Sequence, residues 1–301
     1  MKLLITGAWQ SAQENLDALR AMGHEPAFLQ QEREALPVDP AWVEGVVCNG
    51  LFLSHPIDRF TNLRYIQLTS AGFDRVPMDE VKARGIAIHN ARGVYSVPMA
   101  EHAVWGVLSL YHQAAFFLRN QGEARWEKHR GVRELAGSTV CILGAGSVGT
   151  ACAERFRAFG CRVIGVNRTV RENPAFDAVY PMDALADALA QADVAVLTLP
   201  LNDATRGLMN AERLSQMKPG AVLVNIARGA IVEEAALIEA LQTRLGGAVL
   251  DVFESEPLAP ESPLWAMENV IVTPHNSFVS DGNAARLDAL ILKNLREYAD
   301  A

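Results

Sequence analysis

The sequence predicts an α/β protein built on doubly wound parallel sheets, and three observations carry that prediction. Short apolar runs alternate with helical patterns from one end of the chain to the other. The runs are almost wholly apolar while their connections are polar, as expected of strands covered by helices on both faces. One run, Val140-Cys-Ile-Leu-Gly-Ala-Gly-Ser-Val-Gly149, passes directly into a glycine-spaced turn with a helical pattern behind it.

That turn organises the rest. Gly144, Gly146 and Gly149 fit G-x-G-x-x-G. The first glycine permits a tight turn, the second lets backbone approach a pyrophosphate, and the third lets helix and strand pack closely. A helix start also presents unpaired N–H groups and a positive dipole end to such an anion. Glycines cluster in ordinary turns too, so the context matters. Ala151 to Phe159 reads as a helix closed by Gly160, and Cys161-Arg-Val-Ile-Gly-Val166 reads as the next strand. The result is a β-α-β unit of the right size for a dinucleotide.

Before it, residues 1 to 96 form a first set of alternating elements. Leu3-Leu-Ile5 is a strand, Ser11 to Met22 a helix ending before Gly23, and Gly45-Val-Val-Cys48, Tyr65-Ile-Gln-Leu68 and Ile86-Ala-Ile-His89 are further strands. Ser70-Ala-Gly-Phe-Asp74 directly follows the Tyr65 strand. Ligands of open α/β sheets bind beyond the carboxyl ends of strands, so the N–H groups around Ala71 and Gly72 are candidates to hold an anion. Taken alone, this segment reads as an ordinary glycine turn.

Val97 to Leu118 is one long helical stretch, apolar on more than one face, with Glu101 and His102 among its polar exceptions. A helix of this kind is deeply buried or forms a subunit contact. Residues 119–137 read as a polar loop anchored by Trp126. Beyond the glycine turn, strands are expected at Ala192 to Pro200, Ala221 to Ile226, Gly247 to Val252 and Val270 to Thr273. Helices are expected at Ala184–Ala190, Ala211–Met217 and Glu233–Thr243. The helix-like Ala284 to Tyr298 either extends this domain or returns to the first.

Composition limits the function. Half of the 301 residues are hydrophobic and 21% are charged, which suits a globular protein with buried cores. A net charge of −8 argues against a nucleic-acid surface, because phosphate binding needs clustered Lys and Arg. It leaves room for a small anionic substrate in a locally positive site. Cys48, Cys141, Cys152 and Cys161 have no metal-type spacing, and Cys141 and Cys161 lie in expected buried strands. They read as core residues in a reducing compartment. The first strand is too short for a signal peptide and no apolar run approaches membrane-spanning length. A cytoplasmic location, no membrane partner and no metal are therefore expected.

Three residues fall just past the carboxyl ends of later strands: Arg228 in Asn225-Ile-Ala-Arg-Gly229, Glu256 in Asp251-Val-Phe-Glu-Ser-Glu-Pro257, and His275 in Val272-Thr-Pro-His275. Hydride transfer to a ketone builds negative charge on oxygen, and a histidine titrating near neutrality suits the required proton donation. A neighbouring carboxylate orients the ring and favours its charged form. A guanidinium pairs two-pronged with a substrate carboxylate. Singly, His275 could cap a strand, Arg228 could form a surface pair and Glu256 could be solvated. All three at strand ends behind a dinucleotide fingerprint form a coherent set.

With these residues the chain resembles the D-isomer-specific 2-hydroxyacid dehydrogenases, and most closely their glyoxylate/hydroxypyruvate reductase branch. The marks are Ser70-Ala-Gly-Phe-Asp74, Ala100-Glu-His102, Leu135-Ala-Gly137, Gly144-Ala-Gly-Ser-Val-Gly149, Asn225-Ile-Ala-Arg-Gly229, Leu250-Asp-Val-Phe-Glu-Ser-Glu-Pro257 and Thr273-Pro-His275. The resemblance implies Arg228 as substrate anchor, His275 as general acid/base, Glu256 as its partner, and the Ala71–Gly72 backbone as a second carboxylate holder. It implies cofactor contacts from Gly144, Gly146, Ser147, Val148, Gly149, Asn167, Arg168, Thr169, Leu199, Pro200, Thr205, Ala227, Asp251 and His275, with Asp251 at the nicotinamide amide. It further implies a Rossmann domain over residues 97–276, a flavodoxin-like substrate domain from 1–96 plus 277–301, and a homodimer through the helix near 97–118. Glu254 does not match the spacing of the family glutamate. Asn276-Ser-Phe278 departs from the small residues usual after the histidine, so the pocket wall differs there. The extra regulatory domain of many phosphoglycerate dehydrogenases is not expected, which counts against that role without excluding it.

Cofactor preference follows from charge. NAD sites place an Asp or Glu after the second strand to bind the ribose hydroxyls. Here Val166-Asn-Arg-Thr169 offers no acid, and Arg168 and Thr169 suit a 2′-phosphate. NADP(H) is favoured, with NAD(H) as the alternative. The expected reaction is reduction of a small 2-oxo acid, such as glyoxylate or hydroxypyruvate, to the D-2-hydroxy acid. An NAD-dependent phosphoglycerate-type dehydrogenase and a non-catalytic dinucleotide sensor are the rivals.

Overall fold

The computed structural model describes residues 1–299. The chain packs as two compact units: Met1–Tyr95 with the C-terminal segment beginning at Ser280, and Ser96–Val279. The expected divisions, 96/97 and 276/277, thus fall at 95/96 and 279/280. Positions 300 and 301 of the expected 277–301 return lie outside the described residues.

The first unit is a five-stranded parallel sheet. Its strands are β1 (Lys2–Thr6), β2 (Glu25–Leu29), β3 (Gly45–Cys48), β4 (Tyr65–Leu68) and β5 (Ala87–His89), in the order β2-β1-β3-β4-β5. This is the flavodoxin-like order. Alternation sends Leu4, Val46 and Ile66 to one face, and Leu3, Ile5, Val47 and Tyr65 to the other. The second face is covered by the C-terminal helix Asn283–Ala299, whose Leu287, Ile291 and Leu295 recur every fourth residue and are buried. This apolar stripe is why the chain end returns to the first unit. Asn294 Nδ2 donates to Gln67 Oε1 at 2.8 Å and Arg286 Nε to the Val94 carbonyl at 2.8 Å, fixing its register.

Two local expectations are corrected here. The Ser11–Met22 helix narrows to a 3-10 turn at Gln13–Asn15 followed by α1 (Leu16–Ala21). Strand β2 was not expected; Pro26 and the polar neighbours of Glu25 hide it, and only an edge position tolerates such a proline. Helix α2 (Met78–Ala83) completes the unit.

In the second unit the long helix expected over 97–118 is two helices, α3 (Ser96–Tyr111) and α4 (Ala114–Gly122). Gln113 between them takes φ +57°, a left-handed conformation that ends a helix and that neither Gly nor Pro announces. Seven parallel strands follow with helices between them: β6 (Thr139–Leu143), α5 (Ser147–Ala158), β7 (Arg162–Val166), β8 (Ala178–Tyr180), α6 (Leu185–Gln191), β9 (Val194–Leu197), α7 (Ala211–Gln216), β10 (Val222–Asn225), α8 (Glu234–Thr243), β11 (Gly247–Leu250) and β12 (Val270–Val272). Their order is β12-β11-β10-β9-β6-β7-β8, which reverses direction between β6 and β9. That is the Rossmann arrangement, and the crevice beyond the strand ends at the reversal is where such sheets take a ligand.

Both faces of this sheet are buried. Cys141, Leu143, Ala195, Leu197 and Leu223 enter one core; Val140, Ile142, Val194, Val196 and Val222 enter the other, against α3 and α5. Strand β8 was not anticipated, and α5 starts at Ser147, four residues earlier than expected, within the glycine motif itself. All four cysteines are buried and unpaired, and burial pushes their thiols up, that of Cys161 to about 11. Among the described residues no helix is long and apolar enough to cross a membrane.

Candidate active site

The glycine loop between β6 and α5 shows which glycines the fold needs. Gly144 has φ +108°. A Cβ on Gly149 would lie 1.8 Å from the Gly144 carbonyl oxygen, so only glycine lets the helix start sit on the turn. Gly146 is different: its φ is −82°, and a Cβ there would meet nothing within 4 Å. The protein itself gives Gly146 no reason to be glycine. An external group approaching the backbone does, and this is the cradle a pyrophosphate requires at a helix N-terminus. The residues present therefore fit a dinucleotide.

Thr198, just after β9, holds the loop from below. Its Oγ donates to the carbonyls of Gly144 at 2.8 Å or Leu143 at 3.1 Å. Sequence reasoning passed over it, although a hydroxyl at a strand end is the available signal. Ser147 and Val148 are half-buried in the first turn of α5. Beyond β7, Asn167 donates from Nδ2 to the Thr169 carbonyl at 3.0 Å, shaping a turn on which Arg168 and Thr169 are exposed. Leu199 is buried and Pro200 exposed, and the Thr205 hydroxyl donates to the Pro200 carbonyl at 2.7 Å. Thr205 thus ties the loop together.

Arg228 leaves β10 on a turn braced by Asn225, which is itself 1% exposed. Asn225 Oδ1 accepts from the Ala227 N–H at 3.1 Å and its Nδ2 donates to the Arg228 carbonyl at 3.1 Å. Arg228 Nη1 donates to the Ala227 carbonyl at 2.7 Å. The following Gly229 lies hard against the next loop: a Cβ there would fall 1.9 Å from the Phe253 carbonyl oxygen. This contact sets the Arg228 turn beside the segment that carries Glu256.

Glu256 Oε2 is 2.8 Å from His275 Nδ1, and Oε1 accepts from the Phe253 N–H at 3.2 Å. A carboxylate only accepts, so Nδ1 carries the hydrogen and Nε2 is the ring nitrogen left for a ligand. The pair is partly open, with side chains 42% and 36% exposed. Glu254 instead accepts from the Glu234 N–H at 2.9 Å, capping the start of α8. The two glutamates are therefore separated by partner.

Asp251 is fully buried. Its Oδ1 accepts from Thr273 Oγ1 at 2.6 Å and the Asn276 N–H at 2.7 Å, and its Oδ2 from the Ser277 N–H at 3.0 Å. Burial acts to raise its pKa, but these bonds outweigh it and hold the carboxyl below its ordinary value. Here the carboxylate braces the backbone that carries His275.

In the first unit, the carbonyls of Ala71 and Gly72 are occupied, by Asn90 Nδ2 at 2.6 Å and Ser70 Oγ at 3.1 Å. Their N–H groups donate to nothing among the described residues, as an anion site requires. Glu32, unforeseen from sequence, takes the Asn49 and Gly50 N–H groups at 2.7 and 2.6 Å and the Thr6 hydroxyl at 2.8 Å. It pins the loop that follows β3.

A Rossmann sheet with a pyrophosphate cradle, and with an arginine and a carboxylate–histidine pair beyond adjacent strands, defines a nicotinamide-dependent oxidoreductase. Residues 104–277 match the family described as D-isomer specific 2-hydroxyacid dehydrogenase, NAD binding domain. The chain belongs to that family, whose members are NAD(P)-dependent 2-hydroxyacid dehydrogenases. It is 34% identical over 258 residues to a glyoxylate reductase of Pyrococcus horikoshii, covering 81% of this chain and 77% of that one. It is also 34% identical over 241 residues to an (S)-sulfolactate dehydrogenase of Chromohalobacter salexigens, covering 79% and 78%. A D-isomer specific 2-hydroxyacid dehydrogenase from Xanthobacter autotrophicus Py2, in complex with NADPH and MES, superposes with a TM-score of 0.80 at 32% identity, over 99% of this chain and 95% of that one.

Proposed function

We propose that this protein reduces a small 2-oxo acid of the glyoxylate or hydroxypyruvate type to its D-2-hydroxy acid, with NADP(H) preferred over NAD(H). The observation that carries the reading is the 2.8 Å bond between Glu256 and His275 Nδ1, which dedicates Nε2 to proton transfer. A nicotinamide dinucleotide held at the Gly144–Gly149 loop would supply the hydride. His275 gives its Nε2 proton to the substrate oxygen as that oxygen gains charge, and Glu256 stabilises the imidazolium that precedes this step. Arg228 anchors the carboxylate and polarises the adjacent carbonyl. The exposed Arg168 and Thr169, in a Val166-Asn-Arg-Thr169 segment that holds no acid, support the phosphate-bearing cofactor, as does the NADPH-bound Xanthobacter relative. We further propose a homodimer formed through α3 and α4, and a cytoplasmic location in keeping with four unpaired cysteines.

Initial rates with NADPH and NADH against glyoxylate, hydroxypyruvate, pyruvate and a sulfonated 2-oxo acid test this directly. Fast NADPH oxidation by the first two is expected. A preference for NADH removes Arg168 from the argument, preference for the sulfonated acid moves the substrate class, and dinucleotide binding without any turnover favours a sensor. His275→Ala is expected to lower kcat by about 10²–10⁴-fold, with a much smaller change in cofactor affinity.

A further inference from the structure

Behind His275 runs a chain of hydrogen bonds whose direction follows from donor and acceptor chemistry. Asp251 holds three consecutive N–H groups: His275 on its carbonyl at 2.8 Å, and Asn276 and Ser277 on its carboxylate. Such bracing is needed because His275 has φ +51°, a left-handed conformation unusual for a residue with a side chain. Thr273 Oγ1 lies 2.6 Å from Asp251 Oδ1 and 3.2 Å from His102 Nε2. The carboxylate has no proton to offer, so the hydroxyl proton points at Asp251 and an oxygen lone pair faces His102. Nε2 of His102 must then carry a hydrogen.

The donor is delivered from a rigid element. Ala100, Ala103, Val104 and Val107 bury α3 in the core. Gly106 sits so close to β11 that a Cβ would lie 2.5 Å from Val249 Cγ1, two residues before Asp251. Burial lowers the pKa of His102, with the Asp251 charge acting against it. Near neutral pH the ring is thus an uncharged Nε2–H donor.

We propose that His102 is a positioning residue: through Thr273 it fixes the Asp251 carboxylate and so the 275–277 turn that aims His275. The proposal rests on the reading of His275 as the proton donor. His102 acts through its bond to Thr273, so its effect is expected in kcat rather than in binding.

The test compares His102→Leu, His102→Gln, Thr273→Val and Thr273→Ser in the full-length protein. His102→Leu and Thr273→Val are expected to lower kcat by about 10-fold, since small misplacements of a reacting group are costly, with KM and NADPH Kd little changed. His102→Gln, whose amide can donate in place of Nε2, and Thr273→Ser should recover most of the loss. Unchanged kcat in both disruptive variants overturns the proposal. So does a uniform fall of kcat, cofactor affinity and melting temperature in all four, which marks a merely structural role.

A second measurement does not depend on turnover. Long-range ¹H–¹⁵N spectra should show the hydrogen of His102 on Nε2, and the 275–277 amides should exchange faster in Thr273→Val than in Thr273→Ser. A hydrogen on Nδ1 alone, or equal exchange, sinks the chain of bonds. If the wild-type protein reduces no 2-oxo acid, the activity reading fails while these spectra still decide the bonding.

Discussion

Asp251 and Glu254 lie three residues apart and do opposite kinds of work. Glu254 is exposed and caps a helix, whereas Asp251 is fully buried and holds the histidine turn. Its folded-state pKa is below the ordinary aspartate value, so folding favours the ionised form. That contribution is complete above the unfolded value of about 3.9 and is lost as pH falls through the lower folded value. Replacing Asp251 by Asn should therefore cost about 1.5–3 kcal/mol at neutral pH, in line with hydrogen bonds to a charged group. The gap between wild type and variant should shrink as pH drops below about 4. Urea midpoints measured from pH 3 to 7 check this; parallel curves across that range would contradict it. At this scale the sequence marked Arg228, Glu256 and His275 by position and residue type. It passed over Thr198, Asn225 and Glu32, whose importance lies in backbone groups they meet only after folding.

Among the elements, the β6–α5 loop makes the sharpest distinction. Gly149→Ala drives a methyl into the Gly144 carbonyl and should destabilise by about 1–3 kcal/mol, as overpacking does. Gly146→Ala meets open space, and its stability should stay within about 0.5 kcal/mol of wild type. If the space is kept for a pyrophosphate, that second variant nonetheless loses dinucleotide affinity. Thermal melts paired with NADPH titration separate the two effects, and a Gly146→Ala protein that binds normally would argue against the cradle. The motif spacing announced this loop, but could not tell a glycine needed by the fold from one needed by a ligand. The break at Gln113 shows the same limit. A continuous apolar pattern predicts one helix, and the left-handed residue that divides it leaves no trace in composition.

For the whole molecule, α3 and α4 carry large apolar side chains that this chain leaves exposed. Leu118 is 67% exposed, Trp105 49% and Phe117 41%. Apolar side chains gathered this way mark an association surface, and the occupant we propose is a second copy of this chain. Sedimentation of the wild type should show a dimer at micromolar concentration, and Phe117→Asp with Leu118→Asp should shift it toward monomer. A wild-type monomer throughout that range would remove the dimer.

The sequence by itself determined the fold class, every strand but β2 and β8, the dinucleotide loop and the strand-end residues. Those depend on periodicity, glycine spacing and residue type, which are local properties. The tertiary structure alone decided the edge strands β2 and β8, the return of the last helix to the first sheet, and the partners of Asp251. The bond between His102 and Thr273 spans 171 positions. No local pattern encodes such a pairing, because it exists only once two separately formed elements pack together and leave a half-buried donor and a half-buried acceptor to satisfy one another.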